Sequence, residues 1–269
     1  KQPTSTKNSP HSLSYSIRWR KTPLALDLLS DFMKAMIFAA GRGERMRPLT
    51  DTCPKPLLQV RGRALIVWHI LNLVRSGITE IVINHAHLGH MIEDALGNGD
   101  QFGASIVYSP EGTALETAGG IAKARHLLGE EPFIAIAGDI YCPHFDFSKV
   151  IDVLEENDVW GNPHPQHARD LAWLYLVKNP AHHPEGDFAL ENFSIANHGE
   201  PRYTFSGIGI YRPEMFDHIV AGDSAKLAPI LRELADQRRI GGELYRGDWT
   251  DVGTVERLEQ LNAPLHYKN

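Results

Sequence analysis

Cations and glycines gather directly after a buried-strand pattern near residue 40. The apolar run Met36-Ile37-Phe38-Ala39-Ala40 ends in Gly41-Arg42-Gly43, and Arg45, Arg47 and Lys55 follow. Glycine lets backbone N–H groups approach an anion with no Cβ in the way. The cations supply countercharge, so the stretch is suited to holding a polyphosphate. Gly-x-Gly by itself also describes an ordinary strand-to-helix turn. Two phosphate motifs are excluded: a dinucleotide fingerprint needs a third glycine where Met46 stands, and a P-loop needs Gly-Lys-Ser/Thr. Two distant acids complete the set. Asp139 follows Gly138 at the end of an apolar strand pattern, where an unpaired carboxylate is costly unless it binds a metal; the competing role is a helix cap. Asp251 lies in Trp249-Thr250-Asp251-Val252-Gly253, where a turn or cap is again the alternative. Brought to one sheet edge, the two carboxylates with phosphate oxygens and water would suit Mg²⁺.

These residues need a scaffold that delivers strand ends to one place. Apolar runs at 36–40, 80–84, 105–108 and 132–137 read as strands, and 64–74, 90–96 and 116–127 as the helices between them. Strands alternating with helices predict βαβ units and a mixed, mostly parallel sheet flanked by helices, an α/β fold. Ligands then bind beyond the carboxyl ends of the strands, where Gly41, Asn84, Glu111 and Asp139 all fall. The second half predicts strands at 171–177 and 204–211, a helix at 229–237, and a closing helix at 254–261. A helix continuing to Glu156 and a Pro- and His-rich loop over 162–169 are also expected. No linker divides the body, so residues 33–262 read as one domain with an acceptor-binding insertion near 160–203. Residues 1–32 differ: 1–16 are rich in Ser, Thr, Asn and Pro, which predicts disorder, and 23–29 allow a helical turn. Met33 looks like a natural start and the stretch before it like an extension.

Composition narrows the function. Hydrophobic residues make up 42% of the chain, ample for a core, and the net charge of −6 disfavours a nucleic-acid surface. No apolar run approaches the roughly 20 residues of a membrane span. Cys53 and Cys142 form no Cys-x-x-Cys pair, which suggests neither zinc nor disulfides and fits a reducing cytoplasm. The histidines at 85, 87, 90, 182 and 183 lack the spacing of a transition-metal site.

Taken whole, Ala39-Ala40-Gly41-x-Gly43-x-Arg45, Pro48-Leu49-Thr50, Pro54-Lys55-Pro56, the strand-end Gly138-Asp139 and the late Trp249-x-Asp251-x-Gly253 resemble the signature of the sugar-1-phosphate nucleotidylyltransferases. The likeness covers about 33–261. It implies a Rossmann-like fold of the GT-A type, with a nucleotide-binding half at 33–145 and a sugar-phosphate-binding half at 146–262. The reaction implied joins a nucleoside triphosphate to a sugar 1-phosphate and releases pyrophosphate. Its partners are small molecules, with no nucleic acid and no membrane, and a homo-oligomer is allowed.

The resemblance also assigns residues. Arg45, Lys55 and Asp139 would be catalytic. The nucleotide would meet Ala39, Ala40, Gly41, Gly43, Arg45, Lys55, Asn84, Glu111 and Gly112. The sugar phosphate would meet Glu116, Thr117, Gly119, Ala137, Asn179, Asp187 and Ser206, and Asp139 with Asp251 would hold Mg²⁺. Asn84 reads equally as a strand-end turn residue, and an ordinary loop with an N-cap is the alternative for the 108–120 stretch. Glu116-Thr117-Ala118-Gly119-Gly120 looks like the family's Gly-Thr-Ala-Gly string with Glu116 replacing its first glycine. The strings at 82–86, 108–112, 179–188 and 204–208 look most like a branch that uses UTP. Ala137 stands where that branch often carries Asn, and the acceptor-side Glu-Lys-Pro of thymidylyl- and guanylyltransferases is missing. GTP with mannose- or heptose-1-phosphate, and a catalytically silent nucleotide-sugar sensor, are the competing readings.

Overall fold

The computed structural model describes residues 33–150 and 170–264. The expectations for 1–32, for the helix continuing to Glu156 and for the 162–169 loop lie outside them. The first half comprises β1 (Lys34–Ala39), α1 (Leu49–Thr52), β2 (Gln59–Val60), β3 (Arg63–Ala64), α2 (Leu65–Arg75), β4 (Glu80–His85), α3 (Gly89–Leu96), β5 (Ser105–Pro110), α4 (Glu116–Leu128), β6 (Phe133–Ala137) and β7 (Ile140–Tyr141). The second half adds β8 (Ala172–Val177), β9 (Phe188–Glu191), β10 (Ser194–Ala196), β11 (Arg202–Tyr211), α5 (Leu227–Asp236), β12 (Ile240–Leu244), β13 (Thr250–Asp251) and α6 (Val255–Asn262). Among the described residues no helix is long and apolar enough to cross a membrane.

β1 sits inside a nine-stranded sheet of order β5-β4-β1-β6-β11-β8-β12-β10-β9. Its neighbours β4 and β6 both run parallel to it, with Ile37 opposite Ile83 on one side and Ile136 on the other. Successive side chains of a strand point to opposite faces, and here both faces are covered. Ile37 and Ile83 join Ile66, Ile70 and Leu73 of α2 in one core. Met36 and Val82 join Ala118 and Ile121 of α4 and Leu231 of α5 in the other. A strand buried on both faces reads as a continuous apolar run, which is why these strands were predictable.

The mostly parallel expectation holds only for β5, β4, β1 and β6. β11 returns antiparallel to β6 and to β8, β12 is parallel to β8, and the edge strands β10 and β9 are antiparallel again. An apolar run carries no mark of strand direction, so the sheet is mixed in a way that periodicity does not reveal. The expected insertion near 160–203 contributes strands to the same sheet, and β9 pairs with the outer end of β11 through Arg202 and Ala189.

A separate two-stranded ladder carries more weight for the site. β13 pairs antiparallel with β7, Asp251 opposite Ile140, and Val252 N–H donates to Asp139 O at 2.8 Å. A third small core of Met46, Leu58, Val60, Leu65, Val252 and Leu258 lies beneath it. Two buried polar residues of α2 brace the chain after Asp139. His69 Nε2 lies 2.9 Å from Ile140 O, and Asn72 Nδ2 donates to Cys142 O and Pro143 O at 3.1 Å each.

Both His69 and the start of α4 make the fold's stability testable. Burial pushes the His69 imidazole down from 6.5 to about 4. Between those values the unfolded chain binds a proton here that the folded chain does not, so stability falls as pH falls. The slope approaches about 1.4 kcal/mol per pH unit and vanishes below about pH 4. His69→Gln keeps a donor for Ile140 O, and urea denaturation across this range should show a dependence shallower by about one proton; an equally steep profile would contradict the assignment. Glu116 opens α4 with φ +62°, a left-handed conformation that favours glycine. Glu116→Gly should therefore raise stability by about 0.5–1 kcal/mol after the added backbone entropy is counted. Thermal melts should also show Glu116→Val below the parent.

Candidate active site

The parallel strands end at a cavity of about 830 Å³, on the side where βαβ sheets place ligands. Gly138 N–H donates to Phe38 O at 2.9 Å, and a Cβ on Gly138 would stand 2.2 Å from that oxygen. Only glycine permits so close a junction between β1 and the end of β6. The chain then delivers Asp139 to the rim of the cavity.

The glycine-cation loop lines one side. Gly43 has φ +69°, and a Cβ there would stand 2.9 Å from Thr50 Cγ2. Thr50 is buried and its hydroxyl donates to Gly43 O at 2.9 Å. Met46 is fully buried in the third core and so anchors its neighbour Arg45. The loop's arginines divide into two kinds. Arg42 pairs with Asp51 at 2.7 Å and Arg47 with the same carboxylate at 2.9 Å. Arg45 lines the cavity and makes no ion pair among the described residues, so its charge is left for a ligand. Lys55 is 8% exposed, and its Nζ lies 2.7 Å from Asp139 Oδ2. A buried ammonium requires such a partner, and the pair sits at the cavity rim.

Ala39, Ala40, Gly41, Gly43, Arg45, Lys55, Asn84, Glu116, Thr117, Ala137, Asp139 and Asp187 all line this space. Several other expected contacts are corrected. Asn84 reaches the cavity wall, but its Oδ1 accepts from Ala39 N at 3.0 Å and its Nδ2 donates to Glu111 Oε1 at 2.6 Å. Glu111 Oε2 in turn accepts from Leu115 N at 2.8 Å, and a Cβ on Gly120 would stand 2.5 Å from Glu111 Oε1. This buried pair ties the phosphate loop's strand to the loop before α4, and neither Glu111 nor Gly112 lines the cavity. Gly119 is also outside it: a Cβ there would meet Asp223 O at 2.3 Å, because the 223–226 segment crosses the start of α4. Ala225 O accepts from Ala118 N and Gly119 N at 3.0 and 3.1 Å.

On the acceptor side, Asn179 is spent within the protein. Its Nδ2 donates to Pro184 O and Arg202 O, and its Oδ1 accepts from Thr204 Oγ1. Ser206 is buried where the β8–β11 register shifts, and its hydroxyl accepts from Ile208 N at 3.1 Å. Gly207 lines the cavity in its place, packed so that a Cβ would stand 2.7 Å from that of Ala137. Asp187 does line the cavity, with Oδ2 accepting from Phe205 N at 2.8 Å. Asp251 is a neighbour of Asp139 by backbone pairing, yet its carboxylate faces Arg257 and His182 and is not part of the cavity lining.

Two cavity cations were not read from the sequence. Lys226 caps α5, and Arg232, on that helix, lies 5.4 Å over the Phe188 ring. Their surroundings resemble any amphipathic helix start, so only the tertiary packing of α5 reveals them. The cavity therefore holds Arg45 and Lys55 at one group of strand ends and Lys226 and Arg232 on α5. Such a space is built to receive two anionic groups.

Comparisons with known proteins identify the family. The nucleotidyl transferase family model matches residues 34–160. An N-acetylmuramate alpha-1-phosphate uridylyltransferase of Neisseria meningitidis is 53% identical over 235 residues, covering 86% of this chain and 97% of its own. Mannose-1-phosphate guanyltransferase beta-A of Xenopus laevis is 27% identical over 82% of this chain, which spans only 61% of it. The crystal structure named for a glucose-1-phosphate thymidylyltransferase of Bacillus anthracis shares the fold, with a TM-score of 0.71 at 23% identity over 86% of this chain and 94% of that one. A relative more than half identical and matched along nearly its whole length shows the family, and the chain belongs to the sugar-1-phosphate nucleotidyltransferase family of enzymes.

Proposed function

We propose that this enzyme joins UTP to N-acetylmuramate α-1-phosphate, giving UDP-N-acetylmuramate and pyrophosphate, a step in recycling cell-wall amino sugar in the cytoplasm. A phosphate oxygen of the acceptor attacks the α-phosphorus of UTP. The bond from that phosphorus to the α–β bridging oxygen breaks, and pyrophosphate leaves in line. The observation that carries the reading is the meeting of Arg45, Lys55 and Asp139 in one cavity with Lys226 and Arg232.

Each residue then has a task. Backbone N–H groups of the Gly41–Gly43 turn and Arg45 hold the β- and γ-phosphates, and Arg45 steadies the charge that grows on pyrophosphate. Lys55 holds the α-phosphate against the acceptor. Lys226 receives the sugar phosphate, and Arg232 the lactyl carboxylate that distinguishes N-acetylmuramate from other amino sugars. Two polyanions that repel each other are thereby brought into reaction distance, which is most of the catalytic problem in such transfers.

Asp139 fits magnesium by chemistry. Among the described residues no group of three or more His, Cys, Asp or Glu is placed to hold a metal. The protein thus offers Asp139 at the cavity rim, while the Asp251 carboxylate is turned to Arg257 and His182; phosphate oxygens and water would fill the rest of a donor set suited to Mg²⁺. The Asp139 side chain is 45% exposed at the rim, so its carboxylate is accessible to such an ion. When bound, the metal neutralises and polarises the α-phosphate.

Pyrophosphate release across a panel of nucleoside triphosphates and sugar 1-phosphates tests the reading, with UTP and N-acetylmuramate α-1-phosphate expected as the preferred pair. Preference for GTP with a hexose phosphate would replace it, and no release with any pair would favour a nucleotide-sugar sensor. Asp139→Ala should cut turnover at least about a hundredfold with an unchanged circular dichroism spectrum. Arg232→Gln should raise the KM for N-acetylmuramate α-1-phosphate about tenfold or more, the loss of one charge-assisted hydrogen bond, and leave the KM for UTP unchanged. Equal effects on both substrates would remove the acceptor assignment.

A further inference from the structure

α4 opens without a side-chain cap. The first N–H groups of a helix have no partner inside it, and here two of them are met from the second half of the chain. Ala225 O accepts from Ala118 N at 3.0 Å and from Gly119 N at 3.1 Å, and Ala225 N donates back to Leu115 O at 3.0 Å. The segment that leads into α5 is thus the cap of α4.

Two successive glycines, Gly119 and Gly120, stand inside α4, although glycine in a helix interior costs about 1 kcal/mol against alanine. Each lies under a different neighbour. A Cβ on Gly120 would meet the Glu111 carboxylate and the Asn84 amide at 2.5 and 2.8 Å. A Cβ on Gly119 would stand 2.3 Å from Asp223 O and 3.0 Å from Ala225 N. Those last atoms are backbone and cannot turn aside as a side-chain tip can, so the whole crossing would have to move.

Lys226 follows Ala225 directly and lines the cavity, as do Glu116 and Thr117 from the start of α4. The crossing is also joined to β1. Leu115 N donates to Glu111 Oε2, Asn84 Nδ2 donates to Glu111 Oε1, and Ala39 N donates to Asn84 Oδ1. A run of hydrogen-bonded residues therefore leads from the end of β1, where the glycine-cation loop begins, to the residue before Lys226. Leu227 and Leu231 of α5 share a core with Ala118 and Ile121 of α4, so the helix after the crossing has packing of its own.

We propose that Gly119 is a positioning residue for Lys226: by admitting the 223–225 backbone against α4, it sets where the acceptor-side cation stands relative to the nucleotide loop. The inference rests on the reading in which Lys226 receives the sugar phosphate. A misplacement of about 1 Å, even far from the chemistry, can cost about a hundredfold in rate.

A double-variant cycle on the full chain tests it, read as kcat/KM for N-acetylmuramate α-1-phosphate at saturating UTP. Gly119→Ala should lower that value about tenfold or more. The Kd of UTP, measured by calorimetry without acceptor, should stay at the parent's value. In a Lys226→Ala background the same substitution should cost less than about threefold, because residues that act through one another are not additive. An equal loss in both backgrounds, or UTP binding weakened as much as acceptor use, marks general damage to the fold and overturns the positioning role, as does full activity in Gly119→Ala. Should that variant fail to fold, Glu111→Gln, which leaves Asn84 Nδ2 or Leu115 N without an acceptor, is run through the same cycle: a loss that shrinks in the Lys226→Ala background supports the role, and an equal loss or none overturns it. A Lys226→Ala variant that uses the acceptor as the parent does removes Lys226 from the acceptor site, and the inference with it, even where Gly119→Ala loses activity.

Discussion

The short ladder between β7 and β13 is the constraint on which the site depends. Asp139 and Asp251 are separated by most of the second half of the chain, yet Val252 N–H donates to Asp139 O and Asp251 stands opposite Ile140. Two backbone segments locked in antiparallel register cannot slide without inverting every side chain between faces. The ladder is itself held from behind by His69 and Asn72 of α2 and from below by Val252 in the third core. The acids are therefore placed by main-chain hydrogen bonds and apolar packing, before any charge interaction among their side chains is considered.

Charge is then distributed unevenly around that frame. In the phosphate loop Asp51 neutralises Arg42 and Arg47 and leaves Arg45 to the cavity. Lys55 and Asp139 compensate each other at the rim. A pair with one oxygen of the carboxylate engaged keeps the ammonium tolerable in a buried place without removing its field from the cavity. Lys226 and Arg232 enter from α5, beyond the strands that carry the phosphate loop. Local neutralisation elsewhere is what makes these few cations specific, since a uniformly basic surface would bind any polyanion.

Much of this was legible in the residues, and the limits have physical causes. The loop after β1 is local: glycines, cations and the strand before them are contiguous, so their clustering is readable without tertiary knowledge. Asp139 was legible because packing gives no reason to end an apolar run in a carboxylate. Glu111 is drawn away from the cavity because adjacent parallel strands β4 and β5 bring it to the same edge as Asn84, where the two side chains bond each other while Asn84 still reaches the cavity wall. Asn179 and Ser206 misled for a related reason, as a loop and an irregular strand absorb their hydrogen bonds. Lys226 and Arg232 left no local signal at all. The left-handed Glu116 is a middle case: the family's glycine at that position is accounted for by the backbone it must adopt.

The third core has a consequence for how the enzyme comes into being. Met46, which seats the loop after β1, shares this core with Val252 and Leu258, residues far along the chain from it. A fragment of residues 33–145 would contain every strand from β1 to β7 and still lack the floor under its own loop. The loop is therefore fully seated only when the segment that carries Val252 and Leu258 has docked beneath it.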